Sequence, residues 1–515
     1  MGQVLRKFFS EYWILLIIVA IKLILQYILV NPVYELQRDE FLHLDQARHP
    51  AWGYISVPPL TSWISTIIFL LGGSEFWIRF FPALFGALTI IFGWFIAESL
   101  GGKLISKILV SCGLLFSILF RLNILYQPNA FEILIWTVIF FLSIKYISTE
   151  KEKWLYLLAI AVALGLYNKY NTIFLIIGLI IGIIATSQRK ILSKGILWKA
   201  ILFAIVLILP NIIWQIMNDF PVVGHMNALR ERQLVNNDLG SFFWGQLMFF
   251  IGALPLTLAA FIAFIFYKPF RQYRYIGISF LTVMILFVIL KAKDYYSIGL
   301  YPVIIAFGGV AIEKTIPLKM KKFIIPLLVL NMFGSFLVSA RIIHPVMSPE
   351  KIVENKVMFE KFGVLRWEDG KNHDLPQDFS DMLGWKEMAS KAFEAYNTIP
   401  DDEKNATLIF CDNYGHAGAL NYYNRGKMPE AYSFNTDYIY WIPEMESIKN
   451  VILVGRMPEN EITSLFSESK IYGVVENNYS REKGTAIILL KGADSSFTDL
   501  FYRMKKERIE KHEIF

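Results

Sequence analysis

The feature that most constrains this chain is a succession of apolar stretches, most of them about as long as the ~20 residues a helix needs to cross hydrocarbon. They fall near 12–30, 78–98, 104–122, 129–147, 154–168, 170–187, 196–216, 243–267, 273–290, 295–313 and 322–340. This pattern predicts a polytopic α-helical membrane protein with about eleven transmembrane helices. Composition agrees, because only 18 % of the 515 residues are charged, where a soluble protein has about a quarter. The charges are sparse up to about Arg341 and dense after it. The formal net charge of +7 comes largely from short basic loops, so it is no nucleic-acid footprint. Cys112 lies in an apolar stretch and Cys411 in the polar tail, which argues against a disulfide framework or a cysteine metal site. The first stretch follows Arg6 and Lys7 without a small-residue cleavage site and reads as an anchor.

Lysine and arginine in the short loops set the orientation. With the N-terminus inside, the inner loops collect Lys103, Lys107, Arg189, Lys190, Lys268, Arg271, Lys319 and Lys321, among others. The outer loops hold about half as many basic residues, Lys169, Arg230, Arg232, Lys291 and Lys293 among them, which fits the positive-inside rule. An odd number of spans then places the C-terminal region outside the cytoplasm. The expected location is the cell (inner) membrane, multi-pass, with the site on the extracytoplasmic face.

From about residue 345 the pattern becomes that of a soluble α/β domain. Apolar runs at Thr407–Cys411, Val451–Val454, Ile471–Val475 and Ala486–Leu490 alternate with helical patterns at Trp385–Tyr396, Ala417–Tyr423, Glu459–Ser467 and Phe497–Glu510. The chain therefore divides into a transmembrane domain, 1–344, and an extracytoplasmic α/β domain, 345–515. The run Asp412–Gly418 follows a strand and opens a helix. Its amides offer an anion or a sugar hydroxyl a place to bind, and an ordinary strand-to-helix turn is the plain alternative. Neither GxGxxG nor GxxxxGK[ST] is present.

The first outer loop, 31–77, carries the densest chemistry. Residues 38–60 read RDEFLHLDQARHPAWGYISVPPL. Asp39 and Glu40 are adjacent, so on a helix they point about 100° apart and one of them leads into a given site. A solvated loop with Arg38 as salt partner is the plain alternative. Pro58-Pro59 precedes an apolar run, Thr61–Gly72, too short to span and expected to lie in the interface or re-enter. His43, four residues after Asp39, shares its face on a helix. With Asp39 and Glu132 it would make a possible divalent-metal site, or it is a hydrogen-bonding group.

The order DE, AWGY, PPL after the first span resembles the first outer loop of the polyprenyl-phosphate-sugar glycosyltransferases of the GT-C superfamily. That superfamily includes the protein O-mannosyltransferases and the aminoarabinose transferases. Four further segments resemble family motifs in order: Gln127–Glu132, Gly165–Tyr170, Lys291–Tyr296 with Tyr301-Pro302, and Asn413–Leu420, the last as in a bacterial subgroup. The resemblance covers most of the chain. It implies a GT-C-like membrane domain and transfer of a sugar, with inversion, from a polyprenyl-phosphate donor to a lipid, glycan or protein acceptor.

By resemblance Asp39 is the base and Glu40 orients the acceptor or tunes Asp39. Lys169, Lys291 and Lys293, with Tyr295, would hold the donor phosphate; lipid-headgroup contact is their plain alternative. His43, Tyr54 of the AWGY motif and Glu132 are placed at the substrate, and His225 either touches the acceptor or is structural. Asn129 stands where many relatives have aspartate, and Val57 where some have lysine or histidine. Two other classes remain open. A lipid or sugar transporter would show internal repeats and broken helices at the midplane, and no repeat is visible here. A non-catalytic envelope-assembly protein would have no need of the Asp39-Glu40 pair.

Overall fold

Within hydrocarbon every backbone N–H and C=O must find its partner inside the protein, and a helix provides this segment by segment. All eleven apolar stretches are helical in the computed structural model, which describes residues 2–232 and 234–510. The side chains of residues 2–10, Arg232 and Asn236 lie outside the described residues, and with them Arg6, Lys7 and Arg232 of the charge argument. The expected count of eleven spans is not reached on length. Among the described residues seven helices are long and apolar enough to cross a membrane, or nine if two bent pairs each count as one. The pairs are Thr172–Ile184 with Ser187–Ser193, bent by 106°, and Leu239–Phe249 with Ile251–Phe266, bent by 68°. Leu104–Leu115 and Lys153–Asn168, with 12 and 16 residues, are shorter than a full span.

The chain forms two compact units that do not follow its linear order. One comprises Met1–Val30, Phe76–Trp214 and Arg232–Val346; the other comprises Asn31–Glu75, Gln215–Glu231 and Met347–Phe515. The first outer loop thus belongs to the same unit as the C-terminal region.

In the helical unit, Tyr301–Thr315 runs through the centre, with every residue from Tyr301 to Glu313 buried. A side chain at Gly308 would collide with the Leu256 backbone, and one at Gly309 with Val110 and the Ser106 carbonyl. Small residues here let three helices approach closely, the usual basis of packing where lipid is as apolar as the core.

The other unit is built on a five-stranded sheet: β1 (Thr407–Cys411), β2 (Ala431–Ser433), β3 (Asn450–Gly455), β4 (Phe466–Val474) and β5 (Ala486–Ala493). Its order is β2-β1-β3-β5-β4, with β1 parallel to β2 and β3, and β5 antiparallel to β3 and β4. Leu408, Val451, Leu453, Ile488 and Leu490 form a core with Phe497 and Phe501 of the last helix. Their alternates, Ile409, Cys411, Ile452, Val454, Ile487 and Leu489, face the other way and are also buried. The helices Trp385–Asn397 and Tyr414–Tyr423 pack on this sheet.

One expectation for this region fails. The helix expected over Glu459–Ser467 shrinks to Asn460–Thr463, because the chain from Phe466 pairs with β5. β4 is an edge strand with a largely exposed polar stretch, so it lacks the apolar alternation that marks a strand. β2 has three residues and is set by its pairing with β1.

Candidate active site

The chemistry of the first outer loop begins with how its helix starts. Arg38–Asp45 is helical and capped by Gln37. The Asp39 N–H donates to Gln37 Oε1 at 2.9 Å, and the Gln37 N–H donates to Glu40 Oε2 at 2.5 Å. This is a capping box with glutamine in place of serine or threonine. Glu40 is 1 % exposed and its carboxylate closes the cap. Asp39, one position earlier, is half-buried. A carboxylate in the first turn is favoured by the unpaired amides there.

The neighbour that fixes Asp39 comes from the C-terminal domain. The Tyr414 hydroxyl donates to Asp39 Oδ1 at 2.7 Å, and the Arg38 guanidinium lies 4.5 Å from the centre of the Tyr414 ring. Burial and Asp39 push the Tyr414 phenol well above its ordinary range, so it stays protonated and donates. Burial opposes the charge on Arg38, but Tyr414, Asp39, Asp381 and Glu482 outweigh it and raise the guanidinium further. The Arg38 N–H also donates to the Asp381 carbonyl at 3.2 Å. Asp381 pairs with Arg481 at 3.2 Å; burial lifts its carboxyl to about 7 against the pull of Arg481 and Arg38. Glu482 accepts from His416 at 2.6 Å. Burial would raise Glu482, but His416, Arg38 and Arg481 hold it at about 2.

The motif Asn413–Leu420 brings these groups together. Asn413 Oδ1 accepts from the Gly415 and His416 N–H groups at 2.9 and 3.2 Å, and the Tyr414 N–H lies 3.4 Å from Asn435 Oδ1. The expectation that these amides hold an anion is therefore corrected: the protein's own side chains cap them. A Cβ at Gly415 would fall 2.7 Å from Arg38 Cγ, and one at Gly418 would fall 2.6 Å from the Phe41 Cβ. Glycine at both positions lets the Tyr414–Tyr423 helix lie directly along Arg38–Asp45. One turn on, Asn421 donates to Asp45 Oδ2 at 2.7 Å and Tyr438 does so at 2.8 Å. Burial raises Asp45 to about 6.

His43 is buried, with Nδ1 3.4 Å from Gln46 Oε1. Burial lowers it below the ordinary imidazole value. Among the described residues no group of three or more His, Cys, Asp or Glu side chains could hold a metal ion. The trio His43, Asp39 and Glu132 therefore forms no metal cluster. Tyr54, 3 % exposed, is a hub inside the loop. Its hydroxyl lies 2.9 Å from the Gln46 and His49 carbonyls and 2.8 Å from Ser62 Oγ. These bonds tie the loop together around Tyr54. Asp437 holds the rest of the loop, accepting from the Ile55 N–H at 2.6 Å and Ser56 Oγ at 2.8 Å. His225 sits half-buried on the helix Pro221–Arg232, in the same unit.

The lysines lie in the helical unit. Lys169 ends the helix Lys153–Asn168; its ammonium lies 2.9 Å from Asn129 Oδ1, 3.0 Å from Glu132 Oε2 and 4.2 Å from the Tyr296 ring centre. Asn168 donates to the Pro128 carbonyl at 2.9 Å, locking the two motifs together. Lys293 lies 5.9 Å from the Tyr295 ring centre, and Tyr295 and Tyr296 meet edge to face at 4.9 Å. Lys291 is exposed, in a left-handed conformation at φ 50°. Lys169, Glu132, Tyr295 and Lys293 thus gather in one place. Sequence reasoning missed Asp381, Arg481 and Glu482, which carry no local pattern; only the Asn413–Leu420 motif pointed to their neighbourhood.

The arrangement is that of a multi-pass membrane protein with an acidic loop helix backed by an α/β domain. Residues 56–214 match the sequence profile of the dolichyl-phosphate-mannose-protein mannosyltransferase family, a match that begins after Asp39-Glu40. ArnT from Cupriavidus metallidurans bound to undecaprenyl phosphate is 12 % identical in structural alignment. The alignment covers 93 % of this chain and 98 % of that one, with a TM-score of 0.63. ArnT in the apo state aligns over the same shares at 13 % identity and a TM-score of 0.61. A search of curated protein sequences gives no match. This chain therefore shares the fold of the ArnT structures, and its residues 56–214 carry the mannosyltransferase-family profile.

Proposed function

We propose that the protein transfers a sugar from a polyprenyl-phosphate donor to the hydroxyl of an extracytoplasmic lipid, glycan or protein, with inversion. Asp39 takes the proton from the acceptor hydroxyl as its oxygen bonds to the anomeric carbon. The bond from that carbon to the donor phosphate breaks, and its electron pair leaves with the polyprenyl phosphate. Because the leaving group is a phosphate monoester, nearby cations suffice to stabilise it. Lys169, Lys291 and Lys293, with Tyr295, are assigned that role. Glu132 and Asn129 engage two of the three donors on the Lys169 ammonium, leaving one for a phosphate oxygen. Glu40 and Tyr54 shape the loop, and His43 and His225 stay at the acceptor side as secondary candidates.

The observation that carries this reading is the state of Asp39: half-buried, at a capped helix start, with one oxygen already oriented by Tyr414. An apolar cavity of about 250 Å³ in the helical unit, lined by Leu247, Phe250, Leu254, Phe261 and Tyr301 among others, supports a lipid-tailed donor. So does ArnT, which binds undecaprenyl phosphate in the structure of similar fold. The topology proposed with it puts the site and the C-terminal domain outside the cytoplasm of a multi-pass inner-membrane protein. The test is release of undecaprenyl phosphate from a panel of undecaprenyl-phosphate hexoses and pentoses by purified protein. Release from at least one, with inversion in the product, is expected. No release from any, with membrane extract supplied as acceptor, overturns the reading.

A further inference from the structure

The Tyr414 hydroxyl touches the proposed base from the C-terminal part of the same compact unit. A buried tyrosine needs a partner for its hydroxyl wherever it lies, so the contact by itself could be packing. Three observations make it more. The partner is the Asp39 carboxylate, at 2.7 Å. Tyr414 is held from both sides: its backbone N–H lies against Asn435 Oδ1, its helix start is capped by Asn413, and Arg38 covers its ring. Gly415 and Gly418 bring its helix against Arg38 and Phe41 with no space for a Cβ. An ionised carboxylate offers about four acceptor positions, and the bond from Tyr414 takes one of them while fixing the rotation of the group.

We propose that Tyr414 is a positioning residue for the transfer reaction, holding Asp39 in the rotamer that meets the acceptor hydroxyl, so that the C-terminal domain completes the active site. This rests on the reading of Asp39 as the base. Arg38 and His43 from its own helix, Tyr414 from the domain helix and Asp381 beyond Gln377–Ser380 are the charged or titratable groups that face Asp39. Losing the Tyr414 bond removes the contact that orients the Asp39 carboxylate.

The test compares full-length wild type with Tyr414→Phe, Gly415→Ala, Asp39→Asn and the Asp39→Asn/Tyr414→Phe pair, on the undecaprenyl-phosphate sugar that the wild type turns over. Tyr414→Phe is expected to lower kcat about 10- to 100-fold, the effect of one lost hydrogen bond to a charged group, with the donor KM unchanged. On the Asp39→Asn background the same change should add no further loss, because it acts through Asp39. Gly415→Ala keeps the phenol but presses on Arg38 Cγ, so it should lower kcat in part; it serves as the reporter if Tyr414→Phe misfolds. Wild-type kcat in a folded Tyr414→Phe, or wild-type kcat in a folded Gly415→Ala when Tyr414→Phe misfolds, overturns the inference while Asp39→Asn stays inactive. An active Asp39→Asn overturns the base assignment itself, and this inference with it.

Discussion

Phe41 and Gly418 meet with no space between them: a Cβ on Gly418 would fall 2.6 Å from the Phe41 Cβ and 2.7 Å from the Tyr438 hydroxyl. This contact seats the domain helix along the loop helix, in register from Tyr414 opposite Asp39 to Asn421 opposite Asp45. Gly418→Ala should therefore destabilise the protein by about 1–3 kcal/mol, the usual cost of overpacking. Thermal unfolding of the purified protein in detergent measures it. An unchanged midpoint would mean the two helices can part at no cost.

Lys169 and Glu132 form a pair at 3.0 Å whose carboxylate side is buried. Lys169→Gln should cost about 3–5 kcal/mol, because it leaves a buried charge uncompensated. The Lys169→Gln/Glu132→Gln pair should recover most of that stability. If Lys169 also holds the donor phosphate, the double variant should still turn over about 10- to 100-fold more slowly. Thermal midpoints and kinetics measured together separate the two roles; wild-type kinetics in the double variant would assign Lys169 to structure alone.

Lys291 and Lys293 are the other two cations assigned to the donor phosphate. Lys291→Gln and Lys293→Gln should each raise the donor KM about tenfold or more. Normal donor kinetics in both would mark them as headgroup contacts.

Glu482 gives a pH signature. Its folded value of about 2 lies below the ordinary 4.5, so the unfolded chain binds more protons between those values. The stability it contributes is complete above pH about 4.5 and is lost as the pH falls toward 2. The gap in thermal midpoint between wild type and Glu482→Gln should be constant from pH 5 to 6 and close on acidification. A gap independent of pH down to 3 would remove the charge from the account of His416–Glu482.

Much of the membrane part was legible because hydrocarbon enforces one pattern, and each apolar stretch is helical. Their number was not, since Leu104–Leu115 and Lys153–Asn168 are short and two other stretches bend. In the domain, Thr407–Cys411 was legible to the residue because a buried central strand is a continuous apolar run. Of edge strand β4 only the end, Ile471 onward, was legible, since the exposed polar residues before it carry no alternation. At the site, adjacency alone could not rank Asp39 over Glu40. The cap at Gln37 does so, by taking up Glu40 and leaving Asp39 half-buried. Tyr414, Asp381 and Arg481 lie more than three hundred residues away, and pairing over such distances leaves no local trace.

The central claim is that Asp39 accepts the proton of the attacking hydroxyl. Asp39→Asn keeps the shape and removes proton acceptance, so transfer should fall about 10²- to 10⁴-fold, with donor binding nearly intact. Glu40→Gln should cost less, since Glu40 works through the helix cap. The decisive measurement is single-turnover transfer by folded Asp39→Asn under saturating donor. The predicted result is loss of the chemical step with donor still bound; near-normal transfer would contradict the account.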